Sequence, residues 1–145
     1  MQVPLSGPDI TEKEINAVVE VLRSGVLSIG PRLEEFENKI ATFVGVKHAI
    51  GVNSGTSGLH LAVRALGISD GDEVITTPFS FIASSNCILF ERATPVFVDI
   101  DPLTLNIDVE RIESAITPRT KALLPVDAFG QPVYIEAIKS IAAKY

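Results

Sequence analysis

Gly51-Val52-Asn53-Ser54-Gly55-Thr56-Ser57-Gly58-Leu59-His60-Leu61 decides how this chain is read. Val46-Lys47-His48-Ala49-Ile50, just before it, is a short apolar run that predicts a strand. Leu59 to Leu66, just after it, predicts a helix closed by Gly67. A strand, a loop of small polar residues and a helix would present backbone N–H groups to an anion at a helix N-terminus. The same residues also suit an ordinary strand-to-helix turn with Ser or Thr as its cap. The loop alone leaves both readings open.

Outward from this loop the chain punctuates itself clearly. Thr11 and Glu14 form a capping-box signature, and Ile15, Val18, Val19 and Leu22 follow at helical spacing up to Ser24-Gly25. Pro31 opens a second helix with a buried stripe expected at Leu33, Phe36, Ile40 and Phe43, and Gly45 follows it. Beyond the loop, strands are expected at Glu73–Thr77, Thr94–Val98 and Lys121–Val126. Helices are expected at Ser80–Phe90, after Asp108 (Val109, Ile112, Ile116), and from Ile135 to Tyr145. Alternation of strand and helix from Val46 onward predicts an α/β fold, a mostly parallel sheet with helices on both faces. The expected division is a helical segment over residues 1–45 and a partial α/β domain over 46–145. The last helix ends with no cap, so the chain reads as cut short of a following strand.

Composition narrows the function. The 145 residues are 46% hydrophobic and 21% charged, with a formal net charge of −6. That balance speaks against nucleic-acid binding. No apolar run approaches a membrane span, and no signal peptide is evident, so a soluble cytoplasmic protein is expected. The single cysteine, Cys87, sits in apolar surroundings and reads as a buried thiol. Neither a dinucleotide fingerprint nor a phosphate-binding G-x-x-x-x-G-K-[ST] motif occurs. His48 and His60 lack metal-ligand spacing. Asp99 and Asp101 could hold a metal, but Pro102 and Thr104 complete a turn signature around them. Ligands of such sheets bind beyond the carboxyl ends of the strands. That edge should hold Asn53–Thr56, Thr77–Phe81, Asp99–Asp101 and Val126–Phe129. Phe79 reads as core; Phe81 is free to stack on a planar ligand.

Five separated motifs then agree in order and spacing. They are Asn53–Ala62, Gly71–Ile75, Phe81–Asn86, Ala93–Asp101 and Ile116–Ala122. Together they resemble the DegT/DnrJ/EryC1/StrS family of sugar aminotransferases, and the resemblance extends to Pro4–Pro8 and to Leu27–Pro31. It implies the N-terminal portion of the large domain of a fold-type I enzyme dependent on pyridoxal 5′-phosphate (PLP). It implies that Ser54, Gly55 and Thr56 hold the PLP phosphate and that Phe81 stacks on the pyridine ring. It implies a nucleotide-linked keto sugar as substrate, an amino-acid donor such as glutamate, and a homodimer. Asp127 stands where the family often has His. None of Lys13, Lys39, Lys47, Lys121, Lys139 or Lys144 matches the motif of the family's cofactor-bonding lysine. The expectation is therefore a segment that contains no catalytic lysine and is inactive alone. A nucleotide-sugar 3-dehydratase of the same family, or a non-catalytic phosphate-binding or regulatory protein, are the alternatives.

Overall fold

The computed structural model describes residues 6–145. Pro4 and Leu5 of the N-terminal motif lie outside the described residues. Two compact units result, one ending at Gly51 and the other running from Val52 to Tyr145.

The first unit contains helices α1 (Glu12–Ser24) and α2 (Pro31–Val44). The box at the start of α1 forms as expected: Thr11 N donates to Glu14 Oε2 at 2.7 Å, and Thr11 Oγ1 accepts from Lys13 N at 3.3 Å. Gly25 and Gly45 stop the two helices in the left-handed conformation. The stripe expected to be buried on α2 is not. Phe43 is 89% exposed, Phe36 and Ile40 are exposed too, and Ala41 is the buried residue of this helix. Helical spacing reports which residues share a face, not what covers that face. The strand expected at Val46–Ile50 does not form either, and Val46 and Ile50 are exposed. Among the described residues this segment pairs with no strand. Its end is tied instead to α2, where Glu37 Oε1 accepts from Gly51 N at 2.7 Å.

The second unit is the α/β part. Its elements are α3 (Gly55–Ala65), β1 (Glu73–Thr76), α4 (Ala83–Phe90), β2 (Thr94–Phe97), α5 (Val109–Ala115), β3 (Thr120–Leu123), a 3₁₀ turn (Ala128–Gly130) and α6 (Ile135–Lys144). The three strands form one parallel sheet in the order β2-β1-β3. β1 is central and wholly buried, and its alternating side chains enter two different cores. Val74 joins Val63, Ile68, Cys87 and Ile88 on the side of α3 and α4. Ile75 joins Val98, Ile107, Ile112, Ile138 and Ile141 on the side of α5 and α6. Helices thus cover both faces, as the alternating pattern predicts. Each such aliphatic side chain contributes about 1.5–3 kcal/mol when fully buried. Cys87 is fully buried, its Sγ 3.3 Å from Ser84 O, and burial pushes its thiol pKa up. Among the described residues no helix is long and apolar enough to cross a membrane.

Two polar clasps hold this unit. At the amino end of the sheet, buried Glu73 accepts from Thr117 Oγ1 at 2.6 Å and pairs with the Arg119 guanidinium. Beside it the register shifts, with Glu73 opposite Thr120 and Val74 opposite Ala122, leaving Lys121 as an extra residue. Between α3 and the end of α4, His60 Nε2 lies 2.6 Å from Glu91 Oε1, and Arg64 Nη1 donates to the same oxygen at 3.3 Å. The His60 ring also stands edge-on to Phe90 at 5.1 Å. These contacts give His60 a structural role.

Glu73→Ala strips two donors of their acceptor and is expected to cost about 1–3 kcal/mol, read as a lower urea midpoint. The second clasp carries a pH dependence. Its hydrogen bond to His60 holds the Glu91 carboxyl below its usual value; burial pushes back by less than that bond, and the nearby Arg64 charge adds a smaller downward pull. A folded value below the unfolded one stabilises above the unfolded pKa, about 4.3, and that contribution is lost as pH falls through the folded value. Acid titration of stability should therefore show a component that Glu91→Gln removes.

Candidate functional site

The carboxyl ends of three parallel strands and the N-terminus of α3 are where this fold can receive a ligand. Ser54 caps α3 in extended conformation. Its Oγ accepts from Ser57 N at 3.1 Å, and its carbonyl accepts from Gly58 N at 3.1 Å. Ser57 Oγ in turn donates to Asn53 Oδ1 at 2.7 Å, which fixes the loop. The cap leaves the first turn half satisfied. Among the described residues, the N–H groups of Gly55 and Thr56 have no acceptor. They stand at the positive end of the helix dipole. Gly55 adds a second feature. Its φ is not positive, and a methyl group built on its Cα would meet nothing within 4 Å. The fold therefore does not require glycine here, and the space beside the free N–H groups is open.

β1 ends in Thr76, and Thr77 and Pro78 follow it; both threonines are buried. Thr76 Oγ1 donates to Leu124 O at 2.8 Å, and Thr77 Oγ1 accepts from Phe79 N at 3.2 Å. These bonds fix the takeoff of the Phe79–Ile82 loop. The helix expected from Ser80 begins only at Ala83, so residues 80–82 remain a turn. Phe81 sits on that turn and is 77% exposed. Phe79 is not core, contrary to expectation. It is partly exposed and stands edge-on to Phe129, with ring centroids 6.1 Å apart. The reason is topological: both rings lie on loops that leave neighbouring strands at the same edge, above the packed layer.

An open cleft at this edge is lined by Phe79, Phe81, Val126, Asp127 and Phe129. A second is lined by Thr77, Phe81, Ser85 and Phe97. Phe81 thus borders both, and the lining of neither includes Ser54, Gly55 or Thr56. A further cleft, between β3 and α6, is lined by Thr117, Lys121, Leu123, Ile141 and Tyr145 and gathers no such set of groups. Asp99 and Asp101 serve the turn: Asp99 Oδ1 accepts from Ile100 N at 2.8 Å and Asp101 Oδ1 from Leu103 N at 2.7 Å. Among the described residues no three potential ligands gather as a metal site.

One residue at this edge gives no local signal in the sequence. Asn106, 2% exposed, accepts from Ala128 N at 2.8 Å through Oδ1 and donates through Nδ2 to Gln131 O at 2.9 Å. It clamps both ends of a turn whose middle residue, Phe129, has φ 53° and ψ 24°. A left-handed conformation costs a bulky residue about 1–2 kcal/mol. Asp127 Oδ1 accepts from Val133 N at 2.9 Å and steadies the same loop.

The matching family model is the DegT/DnrJ/EryC1/StrS aminotransferase family, over residues 8–145. The chain is 50% identical to the spore coat polysaccharide biosynthesis protein SpsC of Bacillus subtilis over 143 residues, 99% of this chain and 37% of that protein. It is 44% identical to the UDP-2-acetamido-2-deoxy-3-oxo-D-glucuronate aminotransferase of Pseudomonas aeruginosa, over 94% of this chain and 38% of that one. Among solved structures it resembles NtdA of Bacillus subtilis with bound cofactor PMP, with a TM-score of 0.89 and 40% identity over 92% of this chain and 31% of that chain. The chain therefore spans well under half the length of the relatives it matches.

Asn106→Ala leaves a buried N–H and a loop carbonyl without partners. We expect a loss of about 1–3 kcal/mol, with faster amide hydrogen exchange confined to residues 126–131.

Proposed function

The chain belongs to the DegT/DnrJ/EryC1/StrS aminotransferase family, and on that premise we propose that it is the N-terminal segment of a PLP-dependent aminotransferase acting on nucleotide-linked keto sugars. The observation that carries the reading is the start of α3. Two free N–H groups and the open space at Gly55 fit a phosphate approaching the backbone closely. Relatives that act on a UDP-linked keto sugar or hold PMP, the aminated form of PLP, support it.

In this reading Gly55 and Thr56 donate their N–H groups to the phosphate, and the Thr56 hydroxyl adds a further donor. Ser54 keeps its Oγ on Ser57 N, so it organises the loop while its backbone lines the site. Phe81 stacks against the pyridine ring and keeps its plane fixed. Held there, PLP would supply the carbonyl chemistry for passing an amino group from a donor amino acid such as glutamate to the keto carbon of the sugar. The cofactor-bonding lysine belongs to a part of the protein beyond these residues, so this segment alone is inactive. A second copy of the protein and a cytoplasmic location belong to the same proposal.

The test is Gly55→Ala in the full-length protein. Its methyl group enters open space, so stability should be unchanged or raised by up to about 1 kcal/mol. PLP affinity, followed by absorbance titration, should fall by about tenfold or more, ~1.4 kcal/mol. An unchanged affinity would remove the phosphate from this site.

A further inference from the structure

Three non-glycine residues among the described ones have left-handed backbone: Arg92, Leu105 and Phe129. Arg92 follows the end of α4, where that conformation is an ordinary helix stop, and its N donates to Leu89 O at 2.9 Å. Leu105 closes the turn that begins at Asp101, its N donating to Asp101 O at 2.8 Å. Phe129 lies in a turn that Gln131 N closes by donating to Ala128 O at 2.9 Å. Among the described residues its N–H has no acceptor, and its side chain is 86% exposed. A glycine would take this conformation without strain. The fold nevertheless clamps it from both sides through Asn106. Strain that burial does not offset, held rigidly at the ligand edge of a sheet, points to a ligand.

The neighbours of Phe129 say which kind. In the shared cleft its ring is an apolar wall beside Phe79, and Asp127 lines the same space. Asp127 uses Oδ1 on Val133 N, while among the described residues Oδ2 has no partner and is free to accept. A flat apolar surface next to a carboxylate acceptor suits a pyranose, which offers a C–H face and a rim of hydroxyl donors. A diphosphate would be repelled by that carboxylate. We propose that Phe129 is a specificity-determining residue whose ring packs against the apolar face of the keto-sugar ring, with Asn106 as the positioning residue that presents it. This rests on the sugar aminotransferase reading and names the side chain that meets the sugar.

The experiment uses the full-length protein, with UDP- and dTDP-linked 3-keto and 4-keto hexoses as probes. Phe129→Gly should unfold at an equal or higher urea midpoint and should bind PLP as the wild type does. Its KM for the accepted probe should rise about tenfold, with kcat changed far less, as expected for lost uniform binding of an aromatic wall. Phe129→Tyr keeps the ring and should restore KM. A Phe129→Gly protein with an unaltered KM, or with a lowered urea midpoint, overturns the proposal. Wild-type protein that binds a probe by calorimetry but transfers no amino group overturns the aminotransferase reading instead, and probe affinity in Phe129→Gly then decides the role of Phe129. Wild-type protein that binds none of the probes overturns both.

Discussion

The α/β unit depends on β1 being buried on both faces. Four residues, Glu73–Thr76, lie between two strands and between two helical layers. Side chains of a strand alternate, so Val74 must satisfy one core and Ile75 the other. Parallel pairing on both sides forces every connection to cross over, and the crossovers are the helices that cover the faces. The same constraint points all three strands one way. Their carboxyl ends, with Thr77, Asp99 and Val126 just beyond, therefore open on one edge, and the loops with freedom to vary are collected there.

Local chemistry made much of this legible. Thr11, Ser54 and Asp108 cap helices through their own side chains, as their types and positions foretell. Short apolar runs bounded by Asp, Gly and Pro became strands at β1, β2 and β3. The misreadings share one cause, which is that a residue's pattern does not name its partner. Val46–Ile50 has the composition of a strand and, among the described residues, no neighbour to pair with. Phe36 and Phe43 lie at core spacing on α2 and remain exposed. Phe79 has the apolarity of a core residue and stands at the open edge.

Long-range polar pairs were invisible for the same reason. Glu73 and Thr117 lie 44 positions apart, and Asn106 reaches Ala128 across 22. Neither spacing has a periodicity to betray it. Both pairs matter because one member of each, Glu73 or Asn106, is buried: inside the protein an unmatched donor or acceptor costs more than the matched pair contributes. Each therefore fixes an arrangement more than it adds stability. Glu73 sets the register of β1 against the segment that enters β3. Asn106 decides where the loop after β3 stands.

Gly55 and Phe129 invert the backbone's own preferences in opposite senses. At Gly55 the chain has its most flexible residue at a helix start where an added methyl group would meet nothing within 4 Å. At Phe129 it has a bulky aromatic where glycine would be at ease. Folding alone favours the reverse at both positions, since Ala would stiffen the first and Gly would relax the second. One departure lies at the start of α3 and the other in the loop after β3, both in the same α/β unit, one keeping space clear beside free N–H groups and the other filling space with a ring. Both departures fit the proposed reading, in which one end of a ligand approaches the backbone closely while another part of it, or a second ligand, meets an apolar surface.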